Sequence, residues 1–186
     1  MKRIIIIDAS PRQAGNCKVT ADYISTNAKD ALVEIFPLRD KFVRPCMACD
    51  ACKRNEVATC VQKDDMTDLL PRLDTSDAIV FLSPIYFGQI TGPAKTFIDR
   101  LYCYFHPKYP NMSLSRKRDK KLIMIGFCGM GDAESYKNYL RETVSALGVI
   151  GVCEYKVLLC NQVNEPGSCM RKPTFMRELN AAIDSL

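Results

Sequence analysis

The sequence predicts an α/β fold in which five parallel strands form one sheet with helices covering both faces. Two observations carry this. Short β-branched apolar runs alternate with stretches whose apolar residues recur at helical spacing, the pattern of strand–helix–strand units. Several of the runs are also continuous rather than alternating, as in strands buried on both sides. No repeat, low-complexity tract or linker interrupts the chain, so residues 1–186 read as one domain.

Residues 3–7, Arg3 followed by four isoleucines, form the first strand. Residues 16–29 then place Cys17, Thr20, Ala21, Ile24 and Ala28 on one helical face. Residues 31–36 are a second, weaker strand. Asp64 and Asp65 suit a helix start, and Met66, Leu69, Leu70 and Leu73 follow at helical spacing. The third strand is 78–82, ended by Ser83-Pro84. Pro93 fits a first helical turn, with Ala94, Phe97, Ile98, Leu101 and Tyr102 as one stripe. Residues 122–127 are the fourth strand. Tyr136, Tyr139, Leu140, Thr143, Val144 and Leu147 make an amphipathic helix that Gly148 is placed to stop. Residues 152–159 are the fifth strand, and Pro173 opens a last helix carrying Phe175, Met176, Leu179, Ile183 and Leu186.

Composition narrows the function. At 47% hydrophobic and 25% charged residues, the chain is neither collagen-like nor disordered. The four consecutive isoleucines fall far short of the ~20 apolar residues of a membrane span, and Asp8 cuts the run too early for a secretory signal. A net charge of +5 is too dispersed to indicate nucleic acid or a membrane surface. The basic stretch Arg116-Lys117-Arg118 with Lys120-Lys121, broken by Asp119, reads as a solvated loop. The single histidine, His106, sits in a loop-like segment and also reads as solvated. Ten cysteines without a leader imply reduced thiols, a metal or cluster site, or both, and a cytoplasmic setting.

In such sheets ligands bind where the strands' C-terminal ends meet the following loops. After the first strand comes Ser10-Pro11-Arg12-Gln13-Ala14-Gly15-Asn16. Small residues before a helix start admit an anion to backbone N–H groups, Arg12 adds a guanidinium, and Ser10 and Asn16 add neutral donors. The loop is neither a G-x-G-x-x-G nor a Walker sequence. After the third strand, Ser83 to Pro93 holds Tyr86, Phe87, Gly88 and Gly92. Aromatics supply a wall for a ring system, and glycine lets amides approach the ring edge. After the fourth strand, Gly129 and Gly131 again expose backbone. A phosphate loop beside a ring-edge loop, without a dinucleotide fingerprint, favours FMN.

These residues carry a resemblance. Ser10-Pro11-Arg12 with Gly15-Asn16, the cysteine segment followed by Asp64-Asp65-Met66, Ser83-Pro84-Ile85-Tyr86-Phe87-Gly88 and Lys95-Thr96-Phe97-Ile98-Asp99-Arg100 resemble the flavodoxin-like NAD(P)H-dependent FMN reductases. The branch is the one that includes the iron–sulfur flavoproteins. The resemblance implies a three-layer sandwich of strand order 2-1-3-4-5, non-covalent FMN, NAD(P)H as donor, and a homodimer or homotetramer. It implies that Ser10, Arg12, Asn16, Cys17 and Lys18 hold the phosphate, and that Pro84, Ile85, Tyr86, Phe87 and Gly88 line the ring. Gly129 and Gly131 would stabilise negative charge on the reduced ring. Asp99-Arg100 reads as structural or interfacial. Cys17-Lys18 departs from the hydroxyl residue usual after Gly15-Asn16; a thiol is the poorer donor, leaving a backbone contact and the lysine charge. The flavin carries the chemistry, so no side chain is needed as acid or base. The acceptor is a quinone, an azo or nitro compound, free flavin, a metal ion or a redox protein such as ferredoxin.

Cys46, Cys49, Cys52 and Cys60 have the spacing C-x2-C-x2-C-x7-C, an insertion at about 45–62. Two-residue spacers let thiolates converge, and a later fourth ligand closes a [4Fe–4S] site. The motif also resembles the compact cysteine motif of iron–sulfur flavoproteins, where a cluster passes electrons to FMN. Free or disulfide-forming thiols and a four-cysteine zinc site, the last implying a redox-sensing module, remain open. The other six cysteines have no ligand spacing, and Cys17, Cys128 and Cys153 read as small buried hydrophobes.

Overall fold

The isoleucine run becomes an inner strand, β1 (Lys2–Asp8), in the computed structural model, which describes residues 1–130 and 132–186. The chain continues through α1 (Asn16–Asn27), β2 (Ala31–Pro37), α2 (Asp65–Thr75), β3 (Ala78–Tyr86), β4 (Gln89–Ile90) and α3 (Gly92–Arg100). It ends with β5 (Lys120–Phe127), α4 (Ala133–Ser145), β6 (Val152–Cys160) and α5 (Pro173–Ile183). The parallel order is β2-β1-β3-β5-β6, with β4 folded back on β3 as an antiparallel hairpin. The expected five-strand order stands, plus one two-residue strand too short to leave a sequence period.

Continuous apolar strands bury both faces. Ile5, Ile7, Ile79, Phe81, Leu122 and Met124 join Leu69, Leu70, Phe97, Leu140 and Val144 in one core. Their neighbours Ile4, Ile6, Val80, Leu82, Ile123 and Ile125 meet Ala21, Ile24, Phe175 and Leu179 in the other. Burying each such side chain contributes about 1.5–3 kcal/mol. The helix after β1 and the helix after β3 lie on opposite faces, so their loops diverge and leave a crevice at the strand ends.

Four expectations change. Ser83-Pro84 does not end β3, which runs on to Tyr86. Beyond Leu82 its β1 side has no partner, so Pro84 removes no ladder bond there. Gly148 does not stop α4: the chain passes through it as a 3-10 turn, Ala146–Ile150, that buries Leu147 and Ile150. His106 is buried, with Nε2 3.0 Å from the Lys53 carbonyl and Nδ1 accepting from Lys108 N at 3.3 Å. In the basic stretch, Arg116 and Arg118 are exposed, but Lys120 is wholly buried. Its Nζ donates to Ser115 Oγ, Lys117 O and Ile150 O at 2.9, 2.6 and 2.9 Å, which uses all three ammonium donors.

Between β2 and α2 the chain makes a long irregular excursion. Its neck is closed by Gln62 Nε2 donating to Pro45 O at 2.9 Å and by Arg44 N donating to Asp64 at 3.0 Å. Asp64 and Thr67 form a capping box that starts α2. The tip is pinned by Lys53, whose Nζ lies 3.5 Å over the Tyr102 ring and donates to Tyr102 O at 2.8 Å. Tyr102 itself is exposed, outside the stripe on α3. No helix among the described residues is long and apolar enough to cross a membrane.

Candidate functional site

The crevice at the strand ends is a cavity of about 190 Å³. Ser10, Arg12, Gly15, Asn16, Cys17, Pro84, Ile85 and Tyr86 line it together with Gly129. Its loop is built on a buried ion pair. Asp8, at the end of β1, accepts from Arg39 Nη1 at 2.6 Å and from Ser10 N at 3.0 Å. Ser10 Oγ in turn accepts from Arg12 N at 3.2 Å. Thr91 Oγ1 donates to Ala9 O at 2.8 Å, tying the start of α3 to the same loop.

α1 begins at a buried, extended Gly15 with no side-chain cap. Its first-turn N–H groups therefore have no side-chain acceptor, and with the helix dipole they favour an anion. Arg12 is exposed at the rim. The Asn16 side chain is already used: Nδ2 reaches Val163 O at 3.5 Å and Oδ1 accepts from Cys169 N at 3.2 Å. Burial first, and the Asp8 charge second, push the Cys17 thiol well up, so at neutral pH it is uncharged. Lys18 lies outside the lining and pairs with Asp22 at 2.5 Å.

Phe87 and Gly88 form the turn between β3 and β4, with φ of 50° and 79°. Such turns need left-handed backbone at both positions, which glycine adopts freely and phenylalanine only under strain. The Phe87 ring is completely exposed and Tyr86 partly so. Neither Phe87 nor Gly88 lines the cavity; they stand beyond its Tyr86 edge. A Cβ on Gly129 would come within 2.0 Å of Asn164 Oδ1, so a larger residue there would displace the exposed Asn164 side chain from the cavity wall. Gly131 lies outside the described residues. Phe127 and the segment after β6, with Val163, Asn164 and Pro166, complete the lining. Sequence reading missed this fourth loop, which the turn-rich run Asn161 to Gly167 could have signalled.

An anion-accepting helix start beside a loop of apolar and aromatic residues suits a phosphate joined to a ring, and FMN fits the residues present. The sequence pattern of the NADPH-dependent FMN reductases matches residues 2–164. The chain belongs to this family. An iron-sulfur flavoprotein of Archaeoglobus fulgidus is 29% identical over 154 residues, 82% of this chain and 66% of the relative. The chain thus spans just under two thirds of that relative's length. The fold matches that of an NAD(P)H:quinone oxidoreductase from Methanothermobacter marburgensis, with a TM-score of 0.75, 14% identity, and 98% and 97% of the two chains covered. An FMN-dependent NADH-azoreductase from Bacillus anthracis, in complex with FMN, matches with a TM-score of 0.66, 15% identity, and 100% and 99% coverage.

The cysteine excursion is a separate feature of this FMN reductase chain. Cys46, Cys49, Cys52 and Cys60 line one hollow of about 20 Å³, joined by Cys103 and Arg100. Among the described residues, no three His, Cys, Asp or Glu side chains converge as an ion site. In a [4Fe–4S] centre each thiolate takes a different iron, and Cys46 and Cys49 lie on the exposed arm of the excursion. The donor set fits such a centre in kind, with four soft thiols and a buried cation. The hollow and the strand-end cavity share no lining residue. Of the remaining cysteines, Cys17, Cys103, Cys128, Cys160 and Cys169 are buried. Cys153 is exposed, because the first half of edge strand β6 faces solvent.

Proposed function

We propose that this chain binds FMN in the strand-end cavity and passes electrons from NAD(P)H to a small acceptor such as a quinone, a flavin, an azo or nitro compound or a metal ion. The observation that carries the reading is the uncapped start of α1 facing the same cavity as Pro84, Ile85 and Tyr86. Bound FMN supplies hydride acceptance and release; the chain supplies position and electrostatics. Arg12 and the α1 amides hold the phosphate. The backbone N–H groups of the Phe87-Gly88 turn, beyond the Tyr86 edge of the cavity, would hold the ring edge of bound FMN, and the backbone at Gly129 would favour negative charge on the reduced ring. Among the described residues, the side chains lining the cavity include no carboxylate or imidazole. Donor and acceptor would occupy the same place over bound FMN in turn, which would give ping-pong kinetics. A homodimer or homotetramer in a reducing, cytoplasmic setting accompanies this reading. Initial rates at several quinone concentrations test it: parallel double-reciprocal lines support alternating occupancy, and intersecting lines contradict it.

A second reading is favoured by the four thiols on one hollow and by the iron-sulfur flavoprotein relative. Here the chain is an electron carrier with FMN and a [4Fe–4S] cluster, exchanging electrons with a protein such as ferredoxin. Iron and acid-labile sulfide analysis of protein purified without oxygen separates the two readings.

A further inference from the structure

Arg100, the last residue of α3, is a deeply buried cation. It is 2% exposed, and two of its three guanidinium nitrogens donate hydrogen bonds. Nη1 donates to Asp64 Oδ2 at 2.5 Å and to Arg44 O at 2.8 Å, and Nη2 donates to Asp64 Oδ1 at 3.0 Å. Nε is buried and has no hydrogen-bond partner. Leaving such a donor unsatisfied when buried is costly, and a cation tolerates it less than a neutral group.

The position of that orphaned donor is informative. Arg100 forms part of the wall of the thiol hollow. Cys60, one of the four thiols, lines the same wall. The residues that Arg100 grips are the two ends of the cysteine excursion, Arg44 on entry and Asp64 on exit. The bidentate grip fixes the plane of the guanidinium within the wall that Arg100 shares with Cys60 and Cys103.

We propose that Arg100 is a positioning and tuning residue for a thiolate-bound cluster: it closes the neck of the excursion through Asp64 and donates from Nε to a sulfur of that cluster. The inference rests on the second reading above. A hydrogen bond to a cluster sulfur stabilises the more negative, reduced state and so raises the reduction potential. Asp64, with both oxygens taken by Arg100, keeps the cation oriented instead of opposing the cluster. A lysine at position 100 retains the charge and the pairing with Asp64, but it has no second nitrogen to present while engaged there.

The test uses the full chain, reconstituted anaerobically with ferrous iron and sulfide, as wild type, Arg100→Lys and Arg100→Gln. Iron content, melting temperature, and the reduction potentials of cluster and flavin are read for each. The expected result is a wild type that holds a cluster, with Arg100→Lys folded and loaded but shifted to a lower cluster potential. Its flavin potential stays unmoved. A loaded Arg100→Lys whose cluster potential equals the wild type's overturns the tuning role while leaving the cluster reading intact. A wild type that takes up no iron and sulfide overturns the cluster reading, and the proposal with it. Should Arg100→Gln fail to fold, the lysine variant alone decides.

Discussion

Arg39 Nη1 lies 2.6 Å from Asp8 Oδ2, and the two side chains are 7% and 0% exposed. The pair sits directly beneath the loop that opens α1, and the other Asp8 oxygen holds the Ser10 amide. Removing one partner of a buried pair leaves an uncompensated charge, costing about 3–5 kcal/mol. Arg39→Met is therefore expected to lower stability to urea by an amount in that range. The double variant Asp8→Asn with Arg39→Met recovers most of it. Equal losses in the single and double variants would show that the charge of Asp8 is not what Arg39 compensates.

Arg12 is exposed at the rim, so its charge acts through solvent as well as the cavity wall. Arg12→Ala is expected to weaken FMN binding by about tenfold, roughly 1.4 kcal/mol, while leaving riboflavin binding almost unchanged. The wild-type preference for FMN should shrink as salt screens the contact. Equilibrium titration of the two flavins checks both.

Phe87 keeps φ at 50° in a two-residue turn with its ring in solvent. A side chain held this way costs of order 1–3 kcal/mol. Phe87→Asn, which tolerates left-handed backbone, is expected to raise the melting temperature of the flavin-free protein and to lower its affinity for FMN. Opposite signs in those two measurements identify the strain as functional.

Burial pushes the Cys103 and Cys160 thiols up to about 12 and also raises Cys17, Cys128 and Cys169. In the unfolded chain each titrates near 8.5. Above that pH the unfolded state binds fewer protons than the folded one, so stability falls as pH rises, by up to about 1.4 kcal/mol per unit per thiol. Lys120 acts the other way: burial lowers it to about 8, so its contribution grows between about 8 and the ordinary lysine value near 10.4. Five thiols outweigh one lysine. Urea midpoints should be flat from pH 7 to 8 and drop from 9 upward, and Lys120→Met should drop more steeply than wild type.

Much of this architecture is legible in the sequence because it rests on local signals. The isoleucines of β1 and the apolar runs of β3 and β5 bury both faces, and no other element accepts such runs. Ser10, Arg12, Pro84 and Tyr86 converge because the topology puts strand ends together. What escaped depends on distant main-chain partners. Lys120 is buried because the carbonyls of Lys117 and Ile150 accept its hydrogen bonds, and His106 because the Lys53 carbonyl meets its ring. Main-chain carbonyls leave no mark on composition. The Asp64–Arg100 pair is likewise invisible, since neither residue's neighbours in sequence announce the other.

The central claim is that this chain binds FMN in the cavity between Arg12 and Tyr86 and reduces it with a nicotinamide. Its most direct test is to purify the protein without oxygen, count FMN per chain, and mix it anaerobically with NADPH and then NADH while following the flavin absorbance. The account predicts about one FMN per chain, bleached by at least one nicotinamide and restored by a quinone, with FMN content falling in Arg12→Ala. A chain that neither retains FMN nor binds it when it is added, or whose bound FMN neither nicotinamide bleaches, would contradict it.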